Sequence, residues 1–272
     1  MISYYSTRDK NKTLVSFEDA LLKGLAADGG LYVPNSIPHI DSNHWLNADS
    51  LAEIGVNVLS QWLNAEIPRD DLERIIHDAL NFPCPVVKLS DDLFVLELFH
   101  GPTLSFKDFG ARTMARMMQY FLNKRNEKRI ILVATSGDTG SAVADGFAGQ
   151  DNIEVILLYP KGKVSDVQER QLITKRPGVK ALAVQGNFDD CQRMVKEAFV
   201  DKDLQHLPLS SANSINIGRL LPQSLYYLWS VNQAFAPLVQ GGWGDFNFGV
   251  PSANLGNLTG GLFATLVGQD VN

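Results

Sequence analysis

The chain has 272 residues, 45% of them hydrophobic and 20% charged, with a formal net charge of −6. That composition belongs to a globular protein long enough to bury a sizeable core in one or two domains. The acidic balance argues against a nucleic-acid or acidic-membrane partner, Cys84 and Cys191 are too few and too distant for a disulfide framework, and no apolar run reaches transmembrane length. The opening Met1-Ile-Ser-Tyr-Tyr-Ser-Thr-Arg8 lacks the apolar core of a signal peptide, so a reducing cytoplasm is expected.

Residues 1–90 read as a mostly helical segment. Ser16-Phe-Glu-Asp19 is a capping box, predicting a helix that ends near Asp28-Gly29-Gly30. Leu31-Tyr-Val-Pro34 is a short extended piece, and a second helix is predicted over residues 49–63. Pro68 suits the first position of a third helix, with Leu72, Ile75, Ile76, Ala79 and Leu80 as its apolar face. Phe82-Pro-Cys-Pro85 breaks that pattern and marks a boundary. Beyond it, apolar strands are predicted at 93–99, 130–134, 153–159, 179–184 and 245–250. Helices are predicted at 106–123, 140–148, 166–175, 188–200, 216–235 and 258–267, with a kink at Pro222. Continuous apolar strands alternating with helices indicate an α/β fold whose parallel sheet is covered on both faces, with ligands beyond the strands' carboxyl ends.

The stretch Glu97-Leu-Phe-His-Gly-Pro-Thr-Leu-Ser-Phe-Lys-Asp-Phe-Gly110 organises the rest. The run 93–99 reads as a buried strand, Gly101-Pro102 as a turn, and Ser105-x-x-Asp108 as the capping box of a helix buried through Met114, Met117, Met118, Phe121 and Leu122. Lys107 then lies in a first helical turn, where the dipole disfavours an ammonium and an apolar corner favours the neutral, nucleophilic amine. On spacing alone a solvated lysine is the commoner case, and Asp108 is an available partner.

Three loops fall at strand carboxyl ends. Thr135-Ser136-Gly137-Asp138-Thr139-Gly140 presents hydroxyls and backbone N–H groups suited to a small carboxylate, or else simply caps the next helix. Val250-Pro-Ser252-Ala253-Asn254-Leu255-Gly256-Asn257 suits a phosphate, or serves close helix–sheet packing, and is neither a Walker A nor a Rossmann glycine motif. Tyr159-Pro-Lys161-Gly-Lys163 offers two lysines to a phosphorylated substrate, where solvated loop charges are the plainer reading. The five histidines show no metal spacing, so no metal is expected. His100, near Lys107 in sequence, is read as a turn residue.

Taken together these motifs, with Asp28-Gly-Gly-Leu-Tyr-Val-Pro34 and Ser211-Ala-Asn-Ser-Ile-Asn216, resemble the threonine synthases, from the N-terminus to about residue 267. The resemblance implies the three-layer parallel-sheet fold of tryptophan-synthase-β-like enzymes, with a helical N-terminal segment over 1–90. It further implies a smaller α/β domain over 91–210, and part of the larger cofactor-phosphate domain over 211–272. It implies pyridoxal 5'-phosphate held by Lys107 as a Schiff base, with the cofactor phosphate on Ser252, Ala253, Asn254, Leu255, Gly256 and Asn257. Thr135, Ser136, Gly137, Asp138 and Thr139 would take the substrate carboxylate, and Lys161 and Lys163 its phosphate. Asn213, Ser214 and Asn216 either face the same cleft or cap the following helix. The implied reaction converts O-phosphohomoserine and water to threonine and phosphate, with the oligomeric state open.

Two departures stand out. Family members generally read Pro-Ser-Gly-Asn-Phe-Gly where this chain has Ala253 and Leu255, which places strain at Ala253 if that position needs a positive φ. The family also continues well past Asn272, so a truncated form of low activity, or another pyridoxal-phosphate lyase such as a dehydratase or phospholyase, is the alternative reading.

Overall fold

The computed structural model describes residues 2–63, 66–235, 247–251 and 254–267. β1 (Tyr4–Ser6) is followed by α1 (Phe17–Lys23), which Ser16 caps by accepting from the Asp19 N–H at 3.0 Å. α1 stops at Gly24 rather than near 28–30: Gly24 takes a left-handed turn with φ 71° while its N–H bonds the Ala20 carbonyl. Asp28 instead braces the turn into β2 (Tyr32–Pro34), accepting from Ser6 Oγ at 2.7 Å and Gly30 N at 2.8 Å. β2 pairs antiparallel with β1.

A short α2 (Asn43–Leu46), unforeseen from the sequence, precedes α3 (Leu51–Leu63) and α4 (Arg69–Ala79). Pro68 takes the N-cap of α4, one residue before the place expected for it, and the anticipated face of Leu72, Ile76, Ala79 and Leu80 is buried.

The predicted strand 93–99 is overturned in length, pairing and burial. β3 (Val86–Lys88) and β4 (Phe94–Leu96) make a separate antiparallel hairpin, with Leu93 and Phe99 about half exposed. Its apolar residues wall a cleft instead of filling a sheet interior, and hydrophobicity alone does not separate those two uses.

α5 (Lys107–Arg125) buries Met114, Met117, Met118, Phe121 and Leu122 completely. After it come β5 (Arg129–Ala134), α6 (Asp138–Phe147), β6 (Ile153–Pro160), α7 (Asp166–Ile173), β7 (Val179–Val184), α8 (Phe188–Val200) and β8 (Leu209–Ser210). β7, β6, β5 and β8 form, in that order, an all-parallel sheet. Side chains on β5 alternate between two cores: Ile131 and Val133 join the main one, while Leu132 and Ala134 meet Leu158, Cys191 and Val195 under α8. Coverage is less complete than expected, since Leu182 on the outer strand β7 is 52% exposed.

α9 (Ile217–Phe235) runs through the Pro222 position and packs against α3, α5 and α10 (Gly256–Val267), so the main core joins residues from both ends of the chain. At Gly110 a Cβ would stand 2.7 Å from the Arg219 carbonyl oxygen, which makes glycine necessary where α5 meets α9. The predicted strand at 245–250 does not form over residues 247–250, and its first two residues lie outside the described ones. Among the described residues no helix is long and apolar enough to cross a membrane.

Candidate active site

Lys107 opens α5 without the predicted capping box. Phe106 occupies the N-cap with helical backbone and no side-chain cap. Asp108 turns back into the preceding loop, accepting from Thr103 N at 2.9 Å and Thr103 Oγ1 at 2.5 Å. Its carboxylate fills the space over Gly101, where a Cβ would lie 2.5 Å from Oδ2. The loop's donors thus claim Asp108, and Lys107 finds its ion-pair partner in Asp138, with Nζ 3.5 Å from Oδ2. The same Nζ sits 4.4 Å from the Phe106 ring centroid, and the side chain is only 19% exposed.

Burial holds the Lys107 amine below the usual lysine range; Asp138 partly offsets this, and the charge of Arg219 adds to it. Arg219 is itself buried, donating from Nη1 to the Ala212 carbonyl at 2.9 Å, and desolvation brings it down to about 10. The sequence reading missed it within the apolar run of α9.

Burial pushes the Asp108 carboxyl above its ordinary range, against the pull of the Thr103 hydrogen bonds. The folded chain therefore binds that proton more tightly than the unfolded one, and stability falls as pH rises from the ordinary aspartate value toward the folded one. Asp108→Asn should lack this dependence, so wild type should lose ground to it as pH rises above about 4. Asp108→Ala, which strands the Thr103 donors, should cost about 1–3 kcal/mol. Urea unfolding at several pH values measures both.

In the 135–139 loop, Thr135 is buried. Its Oγ1 accepts from Gly137 N at 3.0 Å and Gly140 N at 2.9 Å and donates to the Gly137 carbonyl. Ser136 is exposed and Thr139 half-buried at the start of α6. Gly137, at φ 154°, is the N-cap. Lys161 and Lys163 stand exposed past β6, Lys163 beside Asp190 of α8, and neither lines the cavity described next.

That cavity, about 970 Å³, is walled by Phe94, Phe106, Asp138, Tyr226, Tyr227 and Asn257 among others. Lys107 is not itself in that lining, but Phe106 and Asp138, which its Nζ contacts, both are. Asn257, in the first turn of α10, accepts through Oδ1 from the hydroxyls of Tyr226 at 2.6 Å and Tyr227 at 2.8 Å. Ser252 and Ala253 lie outside the described residues. The expectation of strain at Ala253 therefore falls outside them too; among the described residues Leu255 in the same loop is left-handed (φ 51°), as is Leu104 on the cavity wall (φ 59°). Such bulky left-handed residues cost about 1–3 kcal/mol each.

Asn216 does not face the cleft. It is buried, donates to the Leu21 and Ser211 carbonyls and accepts from Gly218 N, capping α9. Asn213 Oδ1 is buried without a hydrogen-bond partner among the described residues, and Ser214 packs beside Gly256 at the start of α10. His100 Nε2 lies 2.7 Å from Glu97 Oε2, bracing the turn before α5.

Residues 3–80 match the family model "Threonine synthase N terminus", and residues 81–237 match "Pyridoxal-phosphate dependent enzyme". A threonine synthase from Buchnera aphidicola is 43% identical over 98% of this chain and 62% of its own length. That from Escherichia coli is 42% identical over 98% of this chain and 61% of its own. The crystal structure titled as pyridoxal-phosphate-bound threonine synthase from Brucella melitensis superposes with a TM-score of 0.90 at 42% identity, covering 98% of this chain and 58% of that one. The Escherichia coli enzyme's structure gives 0.88. The chain thus spans about three fifths of the length of the curated relatives it matches.

The residues present suit that cofactor. Lys107 offers a desolvated amine for the aldehyde, the first turn of α10 offers backbone N–H groups for a phosphate, and an aromatic-walled cavity beside both admits a pyridine ring. On this matching of residues, fold and cavity, the chain belongs to the pyridoxal-phosphate dependent enzyme family, and its N-terminal part matches the threonine synthase model.

Proposed function

We propose that the protein is a threonine synthase, converting O-phosphohomoserine and water to threonine and phosphate in the cytoplasm. The observation that carries this reading is the largely buried Lys107 amine, in contact with two residues that line an aromatic-walled cavity. When bound, pyridoxal phosphate supplies the electron sink that makes α and then β protons of the substrate removable. Lys107 Nζ would hold the cofactor and would take and return those protons, a role supported by the burial that favours its neutral form. Phosphate leaves from the substrate's γ-carbon and water adds at its β-carbon.

The Ser136 hydroxyl, the Thr139 side chain and the backbone N–H of Asp138 would bind the substrate carboxylate at the start of α6, with Gly137 shaping the turn while its own N–H is held by Thr135 Oγ1. Thr135 would act there by holding the loop's shape. Lys161 and Lys163 would meet the substrate phosphate from the end of β6. Asn254, Leu255, Gly256 and Asn257, with Ser252 and Ala253, would form the cofactor-phosphate cup. The three-part division at residues 90 and 210 belongs to the same reading, its middle part supplying Lys107 and the carboxylate loop.

Two measurements test it together. Pyridoxal phosphate should give an absorbance band near the visible edge, and borohydride should fix the pyridoxyl mass on the Lys107 peptide. O-phosphohomoserine should then release inorganic phosphate and yield threonine. Ammonia release from threonine without phosphate release would instead identify a dehydratase.

A further inference from the structure

We propose that Gln168 is a positioning residue for the reactive lysine, its side-chain amide holding the Asp138 carboxylate against Lys107. The amide works at both ends. Oε1 accepts from Ser165 N at 3.4 Å and Ser165 Oγ at 3.1 Å, while Ser165 Oγ accepts from Gln168 N at 3.3 Å, completing the capping box of α7. Nε2 donates to Asp138 Oδ1 at 3.0 Å, and the other oxygen of that carboxylate is the one 3.5 Å from Lys107 Nζ.

The choice of amide follows from this double use. Glutamate closes a capping box as well as glutamine does. A carboxylate, however, has no hydrogen to donate to Asp138 and would repel it. Room for the amide is also built in: a Cβ on Gly137 would lie 2.3 Å from Gln168 Nε2 and 2.5 Å from its Cδ, so the glycine at φ 154° leaves the space this side chain fills. Asp138 needs such an anchor. Its side chain is 49% exposed and would otherwise turn into water, since a lone partly exposed ion pair is weak. Through Gln168, α7 is joined to the amine by two hydrogen bonds in series, Gln168 to Asp138 and Asp138 to Lys107.

This inference rests on the reading of Lys107 as the reactive amine, and its test is independent of the cofactor. Competitive labelling with acetic anhydride, read by mass spectrometry of the Lys107 peptide, reports the nucleophilicity of that one amine. Asp138 favours the ammonium, so releasing it frees the neutral amine. Gln168→Met removes the donor and adds no charge. It should raise the Lys107 labelling rate at neutral pH about threefold, the size of effect a partly exposed ion pair allows. In an Asp138→Asn background, where the rate is already raised, Gln168→Met should change it no further. Simple loosening of α7 would accelerate labelling in both backgrounds alike. An unchanged rate in Gln168→Met, or an equal increase in both backgrounds, overturns the proposal.

Discussion

Lys107→Ala is expected to abolish borohydride-stable capture of pyridoxal phosphate and to lower threonine formation by at least about 10⁴-fold, because one amine is assigned both the attachment and the proton transfers. Lys107→Arg should be equally inactive. A guanidinium keeps the partner charge for Asp138 but stays protonated, so it neither attacks an aldehyde nor takes a proton. Removing the charge altogether should help stability while it destroys activity. Burial holds the Lys107 amine below its ordinary range, so the folded chain binds this proton less tightly than the unfolded chain. The resulting penalty is fully present at pH values below the folded one and disappears as pH rises into the usual lysine range. Lys107→Met should therefore melt above wild type at neutral pH, with the margin shrinking as the buffer approaches pH 10.5, the ordinary lysine value. Thermal melts at the two pH values read the sign directly. Retained capture in Lys107→Ala would move the reactive amine elsewhere and remove the basis of the proposed function.

What the sequence disclosed follows the range over which its signals act. The apolar spacing of α5, the alternation of strands with helices from β5 to α8 and the glycine-bearing turn before α6 are local patterns, and each appears where spacing placed it; β8 had no such signal. The capping box at Ser105 and Asp108 was also a local pattern and failed. Thr103, brought close by the Gly101 turn, offered Asp108 two donors, and a buried carboxylate takes the partners that surround it. The hairpin of β3 and β4 was misread because a cleft wall and a sheet interior use the same apolar residues. For Gln168 half the signal was present, since Ser165-x-x-Gln168 is a capping box in the sequence. Its other half depends on α6 and α7 packing together, which no spacing along the chain records. Tyr226 and Tyr227 carry no signal of their own within the predicted helix 216–235, and their hydroxyls gain meaning only when Asn257 is brought back from 31 and 30 residues away.

That contact carries the second large expectation. Asn257→Leu should destabilise the protein by about 2–4 kcal/mol in urea unfolding. Its Oδ1 takes both tyrosine hydroxyls, and a buried donor left without an acceptor costs about 1–3 kcal/mol. The loss falls short of two full penalties, because Tyr227 keeps the Asn257 main-chain carbonyl at 3.1 Å and Tyr226 keeps Gln223 Oε1 at 3.4 Å. Since the two hydroxyls tie the first turn of α10 to α9, the variant should also weaken pyridoxal phosphate binding by about tenfold, equivalent to about 1.4 kcal/mol. Asn257→Asp separates the two effects. A carboxylate accepts from both tyrosines and is favoured at a helix N-terminus, so stability should stay within about 1 kcal/mol of wild type. Its negative charge nonetheless opposes a phosphate at the same helix start, and cofactor affinity should fall as far as in Asn257→Leu or further. If Asn257→Leu unfolds like wild type, within about 0.5 kcal/mol, the tyrosine contact is not what fixes α10. If Asn257→Asp binds pyridoxal phosphate normally, the phosphate does not sit at this helix start.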